Sequence, residues 1–484
     1  MPAIAPAAAP IPTLAEATRQ MRDGSLTSVE LTQHCLDRIA EVDGAIKACV
    51  TVVGERALEQ AAAADARFAA ARAQSQRSRE AALGRLHPLL GMPLGIKDLI
   101  ETAGVLTTAG SRVLDDYIPD HDATVVRLLT EAGAFTLCKT NTHEFAYGTF
   151  TKPTRNPWDT DRIPGGSSGG SAAGLAAGMF PGALGTDTGG SIRIPAACCG
   201  VVGFKPTYGL VSRAGIIPLS WSYDHAGPLA RTVEDCALLL NTLAGYDPDD
   251  PDSAEVPLLD YVAALAMNRT PEDAVRGMRL AIPTNEFLDG ATPDVRKAFA
   301  EAVALFERLG AELHEITCPA SLDDLFDVAY RGVQRPEAYT YHSEMGWTET
   351  RSDRYSPTVR ANLESGKNYT ARDYIQAQRR RRAFTADLRA AMAGTDALLT
   401  PTLPIPAPRA DALDGPYEYD GKSKDAGYML LRNTFAFDLT GQPALAVPCG
   451  FANDGLPISL QIVAARFDEP TVLRLGYAFE RARG

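Results

Sequence analysis

No histidine follows His342, none of the seven histidines forms an HxH or HExxH pair, and none of the eight cysteines forms a CxxC pair. A chain without imidazoles or thiols at ligand spacing offers no catalytic zinc site. In a chain of 484 residues such scattered cysteines read as reduced core residues of a cytoplasmic protein. No run approaches the ~20 apolar residues of a membrane span, so no membrane partner is expected. The opening "MPAIAPAAAPIP" lacks the positive region of a signal peptide and reads as a disordered tail over residues 1–12. Positive charge is also short. The net charge of -13 argues against a nucleic-acid partner, because phosphate binding needs a basic face. The one dense basic run, Arg379 to Arg382 in "DYIQAQRRRRAFTADLRAAM", reads as a solvated helix face rather than an anion site.

What is present is a globular mixture of helix and strand signals. Residues 14–40 carry a helical pattern, with a capping box T-x-x-E at Thr27 to Glu30 and Leu31, Cys35 and Ile39 recurring every four residues. Residues 55–82 are alanine-rich and helical. From Leu89 short apolar runs mixed with glycine predict buried strands that follow helices. After the acidic loop "DPDDPDS" (247–253) the chain turns more polar, which predicts a helical insertion at about 255–420. "PALAVPCGF" and "ISLQIVAARF", joined through a "DGLP" turn, predict a hairpin, and 469–482 a final helix. The reading is an α/β protein with one domain over 13–484.

The stretch "IPGGSSGGSAAG" (163–174) poses the chemical question. Gly165–Gly169 and Gly166–Gly170 both match G-x-S-x-G, the nucleophile elbow of α/β-hydrolases. That elbow follows a buried strand, whereas "RNPWDTDRIP" is polar and turn-rich, and the triad histidine is missing. The loop ends without Lys-Ser/Thr and so fails as a phosphate loop. A flexible linker is excluded by the apolar "AAGLAAGMFPGALGTDTGGSIRIPAACCG" that follows.

"GMPLGIKD" (91–98), "PGGSSGGSAAGLAAG" (164–178), "GTDTGGSIRIPAACCGVVGFKPTYG" (185–209), "DHAGPLARTVEDCALLL" (224–240) and the C-terminal "LTGQPALAVPCGF" together resemble the amidase signature family. The resemblance covers roughly residues 14–484. It implies an α/β fold with a central mixed sheet of about eleven strands flanked by helices. It also implies a Ser–cisSer–Lys triad, which removes the need for a histidine. Matched residue by residue, the lysine is Lys97, the bridging serine after a cis peptide is Ser167, and the nucleophile is Ser191. Ser168 and Ser171 are expected to cap or line the following helix.

Elementary chemistry supports these roles. A serine hydroxyl attacks poorly unless a neighbour takes its proton, and a lysine takes it only when neutral. The apolar flanks of Lys97 in "PLGIKDLI" supply the desolvation that lowers a lysine pKa. Thr188, Gly189, Gly190 and Ser191 offer consecutive backbone N–H groups as an oxyanion hole. Arg193 and Asp187 are expected to pair and brace that loop.

The function expected from this is a serine amidase. It would cleave neutral aryl or alkyl amides through an acyl-enzyme on Ser191, and the same chemistry extends to esters and carbamates (a urethanase activity). Its partners would be a small-molecule amide and water, with no nucleic acid, no membrane, a possible homodimer and no metal or organic cofactor. Phe145, Tyr147 and Trp221, from the stretches 143–150 and 216–224, are expected to line an apolar substrate pocket, together with residues 330–345. The alternative is the glutaminase subunit of a tRNA-dependent amidotransferase. Against it stand His225 in "YDHAGP", where such subunits usually carry glutamine, and the lack of a "GxEVKRRI" stretch.

Overall fold

A computed structural model describes residues 11–266, 270–412, 415–419 and 421–483. Its strands are β1 (Cys49–Val52), β2 (Pro93–Lys97), β3 (Phe135–Thr140), β4 (Gly182–Asp187), β5 (Val202–Lys205), β6 (His225–Ala230), β7 (Arg279–Pro283), β8 (Glu312–Ile316), β9 (Ala397–Pro401), β10 (Pro416–Tyr419), β11 (Lys422–Asp425), β12 (Ala444–Phe451) and β13 (Pro457–Val463). Eleven of them form one sheet in the order β1-β3-β2-β4-β6-β5-β12-β13-β9-β7-β8, and β10 and β11 make a separate hairpin. The sheet is mixed: β3–β2, β2–β4, β8–β7 and β7–β9 pair in parallel, while pairs such as β4–β6 and β12–β13 are antiparallel. Helices flank it, as the family resemblance implied.

Local sequence accounts for much of this. Thr27 caps the helix Ser28–Ile46 with Glu30 reaching back to it, and Leu31, Cys35 and Ile39 face the core. The continuous helical pattern expected from 14 to 40 is broken by Gly24, whose φ of 89° ends the helix Leu14–Asp23. The strands β2, β3, β4 and β6 are buried along their whole length, Lys97, Lys139 and Asp187 included. Residues 1–10 of the expected tail lie outside the described residues. Ile11 is already buried, and its carbonyl accepts from Arg231 at 3.0 Å.

The segment 255–420 is more than a helical insertion. It carries the helices Pro293–Arg308, Arg331–Glu344, Pro357–Gly366 and Ala371–Ala391, but also β7, β8 and β9, which complete one side of the main sheet. The edge strand β8, "ELHEI", exposes two residues and fully buries only Ile316, so its sequence has little of the apolar texture of an interior strand.

The topology places the site. β2 and β4 are parallel neighbours, so their C-terminal ends, Lys97 and Asp187, emerge at the same end of the sheet. The helix Gly169–Ala176 packs on both strands and brings the residues just before it to that end.

Candidate active site

Lys97 is fully buried, and its Nζ lies 2.7 Å from Ser167 Oγ and 2.8 Å from Thr186 Oγ1. Burial pushes its pKa down to about 7, against the opposing pull of the Asp187 and Asp224 carboxylates. Asp98, its sequence neighbour, is not its partner. That carboxylate accepts from the Thr108 N–H at 3.1 Å and faces Lys139 at 4.0 Å. Successive residues at the end of a strand point to opposite faces, which separates Lys97 from Asp98. The Gly166–Ser167 peptide is cis.

Ser191 is 6% exposed and lines an open cleft of about 520 Å³. Among the described residues its hydroxyl has no hydrogen-bond partner. None of the N–H groups from Thr188 to Ser191 donates to an acceptor among those residues either. The loop is held from behind instead. Arg193, fully buried, meets Asp187 through two bonds (3.0 and 2.8 Å), Asp438 at 2.8 Å, Gln461 at 2.8 Å and the Thr434 carbonyl at 2.9 Å. Burial pushes the Asp187 carboxyl up, but the charge and hydrogen bonds of Arg193 outweigh it and hold the group well below the usual carboxylate range. Asp187 also accepts the Ile192 N–H at 3.0 Å, and Thr434 Oγ1 donates to the Gly189 carbonyl at 2.6 Å. His225 donates from Nδ1 to the Tyr223 carbonyl at 2.6 Å, so its imidazole packs behind the loop rather than in the cleft.

Gly190 has a φ of 136°, and a Cβ there would stand 2.2 Å from Thr434 Oγ1. Gly190→Ala is therefore expected to cost about 1–3 kcal/mol and to displace the loop. Thermal stability and kcat should fall together, and a variant with unchanged Tm and kcat would contradict this account.

Ser168 and Ser171 do not cap the helix Gly169–Ala176. Ser168 Oγ donates to the Thr186 carbonyl at 3.2 Å, and Ser171 Oγ to that of Leu184 at 3.0 Å, stitching the helix to β4. Neither is hydrogen-bonded to Lys97, whose partners are Ser167 and Thr186. Of the expected pocket residues, Tyr147 lines the cleft. Phe145 does not. It is 1% exposed and packs edge-on against His342, with ring centroids 4.4 Å apart, and beside Trp347 at 5.6 Å. Trp221 is 39% exposed and away from the cleft. Phe145 has a φ of 48°, a backbone turn that sends its ring into the core while its near neighbour Tyr147 reaches the cleft. From the 330–345 stretch come Tyr330, Arg331, Gln334 and Arg335. Sequence reasoning missed another part of the lining: Asp425, Gly427, Tyr428 and Leu431, from a stretch with no motif of its own.

The family profile described as Amidase matches residues 30–473, a span that includes Lys97, Ser167 and Ser191. The chain belongs to the amidase signature family, enzymes acting on carbon–nitrogen bonds. Curated relatives at 39–41% identity share one name, that of a glutamyl-tRNA(Gln) amidotransferase subunit. The one from Roseiflexus sp. (strain RS-1) is 41% identical over 97% of this chain and 96% of its own length. A solved chain of the same name, from Thermotoga maritima, superposes with a TM-score of 0.76 at 33% identity, covering 97% of this chain and 94% of that one. A chain solved as part of a vestigial protein complex, and described as revealing the origins of an s-triazine catabolic enzyme, gives a TM-score of 0.88. It is 33% identical over 98% and 99% of the two chains.

These relatives correct two expectations. A free-standing amide hydrolase does not stand against full-length relatives named as subunits of an amidotransferase. Nor does a partner set of small amide and water that excludes nucleic acid, since the relatives are named for glutamyl-tRNA and the s-triazine-related chain comes from a complex. The physical reason is that the Gly/Ser motifs encode acyl transfer from an amide, which both activities share. They carry no mark of where the released amine goes. An acidic overall charge likewise says nothing about nucleic acid held by another chain of an assembly. No described helix is long and apolar enough to cross a membrane.

Proposed function

We propose that the chain is the amide-splitting subunit of a tRNA-dependent amidotransferase, taking ammonia from the side-chain carboxamide of glutamine for use by a partner chain. The observation that carries the reading is the 39–41% identity, nearly end to end, to proteins of that name. In this reading neutral Lys97 accepts a proton through Ser167 as Ser191 Oγ attacks the carboxamide carbon. The developing oxyanion takes hydrogen bonds from the unused N–H groups between Thr188 and Ser191, each worth about 3–4 kcal/mol in such a role. The proton returns along Ser167 to the leaving nitrogen, so ammonia departs and a glutamyl ester remains on Ser191. Water then attacks that ester by the same relay, releasing glutamate.

The cleft also suits a free amino acid. Arg335 and Asp425 both line the cleft; Arg335 makes no ion pair among the described residues, and Asp425 accepts the Tyr428 N–H at 2.7 Å. Their charges fit an α-carboxylate and an α-ammonium. Arg335→Ala and Asp425→Asn are expected to raise KM for glutamine roughly tenfold each with kcat nearly kept, since they remove binding shared by ground and transition states. Unchanged KM in both would mean the amino acid is held elsewhere.

The decisive experiment is co-expression with the other amidotransferase subunits of the same organism. It is followed by an assay of glutamine- and ATP-dependent amidation of glutamyl-tRNA(Gln). Co-purification with that activity is expected. A chain that forms no complex and supports no amidation would overturn the reading.

A further inference from the structure

A second groove, of about 740 Å³, lies apart from the cleft that Ser191 lines. It runs between the C-terminal half of the helix Ala371–Ala391 and the segments around Leu439–Gln442 and Ala465–Arg466. Four arginines line it: Arg381, Arg382, Arg389 and Arg466. The only carboxylate in the lining is Asp396, which is occupied by the Arg279 N–H at 2.7 Å. None of the four arginines makes an ion pair among the described residues. Arg381 is anchored by neutral groups, donating to the carbonyls of Leu439 (2.8 Å) and Ser222 (3.0 Å) and stacking 4.7 Å over the Tyr223 ring. Arg466 donates to the Tyr208 carbonyl at 3.2 Å. Arg382 and Arg389 are two turns apart on one helix face.

In a protein of net charge -13, four arginines with a single carboxylate around one groove are a local inversion of sign. Between them the floor is apolar, with Met392 and Leu439 buried and Ala386, Ala393 and Ala465 at the rim. Cations alone would suit a phosphate backbone, which has no use for an apolar floor. Cations around apolar pockets suit a polypeptide that carries both side-chain types.

We infer that this groove seats a segment of a partner protein in which acidic side chains flank apolar anchors. The inference rests on the reading that the chain works with other protein chains. Of the Arg379–Arg382 run, Arg379, Arg380 and Arg382 are exposed, as expected of a solvated face, and Arg381 and Arg382 also line the groove.

The test uses the full chain and a fluorescent peptide with leucines on one helical face and glutamates on the other. Binding is expected to weaken with salt, and by roughly tenfold or more in the double variant Arg382→Glu/Arg389→Glu. The pair Arg382→Lys/Arg389→Lys is expected to retain most of it. A fluorophosphonate label on Ser191, equal in all forms, checks that the variants are folded. The proposal is overturned if charge reversal leaves binding unchanged, if a glutamine-for-glutamate peptide binds equally well, or if a labelled RNA oligonucleotide outcompetes the peptide at these arginines. The same variants are then co-expressed with the other amidotransferase subunits. Assembly lost only in the charge-reversed form supports the groove, and assembly unaffected by reversal removes it. A wild-type chain that binds the peptide yet assembles with none of those subunits would instead count against the functional reading.

Discussion

Ser191→Ala is expected to abolish the covalent adduct with a fluorophosphonate probe and to lower kcat by on the order of 10⁴–10⁶. The argument is positional. Of the four serines in the Gly/Ser loops, Ser191 opens onto the cleft beside unused N–H groups, whereas Ser167 lies against Lys97, and Ser168 and Ser171 are tied to β4. Ser167→Ala keeps the nucleophile and breaks the proton path, so a loss of roughly 10²–10⁴ is expected with labelling slowed but not absent. Ser168→Ala and Ser171→Ala remove buried hydrogen bonds, costing about 1–3 kcal/mol of stability each while sparing activity per folded molecule. Intact mass after probe treatment, then peptide mapping, reads all four. An adduct on Ser167 or Ser168 would return the site to the nucleophile-elbow arrangement.

The second large effect concerns Lys97. Only the neutral amine accepts a proton, and burial brings its pKa to about 7. Activity is therefore present above that value and lost below it: kcat/KM is expected to climb with unit slope in acid, reach half its plateau near pH 7 and then level off. Lys97→Met removes the acceptor at nearly constant volume, so a loss of roughly 10³-fold or more is expected, with the pH step gone. Asp224, pushed up to about 6 by burial, accepts from Thr188 Oγ1 at 2.6 Å and titrates nearby. Asp224→Asn separates the two: a step that belongs to Lys97 should survive in that variant but move to lower pH, because the Asp224 carboxylate that favours the charged lysine is gone. A wild-type profile that peaks in acid and falls toward alkaline pH would refute a lysine base.

Much of this could be read along the chain. The capping box at Thr27, the buried strands around Lys97 and the Gly/Ser loops are local patterns whose physics needs no distant partner. The family resemblance points to Lys97, Ser167 and Ser191 through loops that are tightly constrained: a residue such as Gly190, with φ of 136° and Thr434 against its face, tolerates little else. Chemistry that depends on backbone shape is written locally, and so is legible.

Sequence alone therefore settled the family, its mixed sheet and the carbon–nitrogen bond class of its chemistry. The rest depended on what the chain brings together over long separations. Asp98 turned to Lys139 because neighbouring residues face opposite ways, and Phe145 went to the core at a turn in which Phe145 and Ala146 both have positive φ. Asp425 and Leu431 became a cleft wall only by folding against Tyr330 and Arg335, about a hundred residues earlier. The arginines of a helix became a groove only once Leu439 and Arg466 lay beside them. Pocket shape and charge are properties of surfaces assembled from remote segments, so no local pattern in the sequence announces them, and tertiary packing alone decides them.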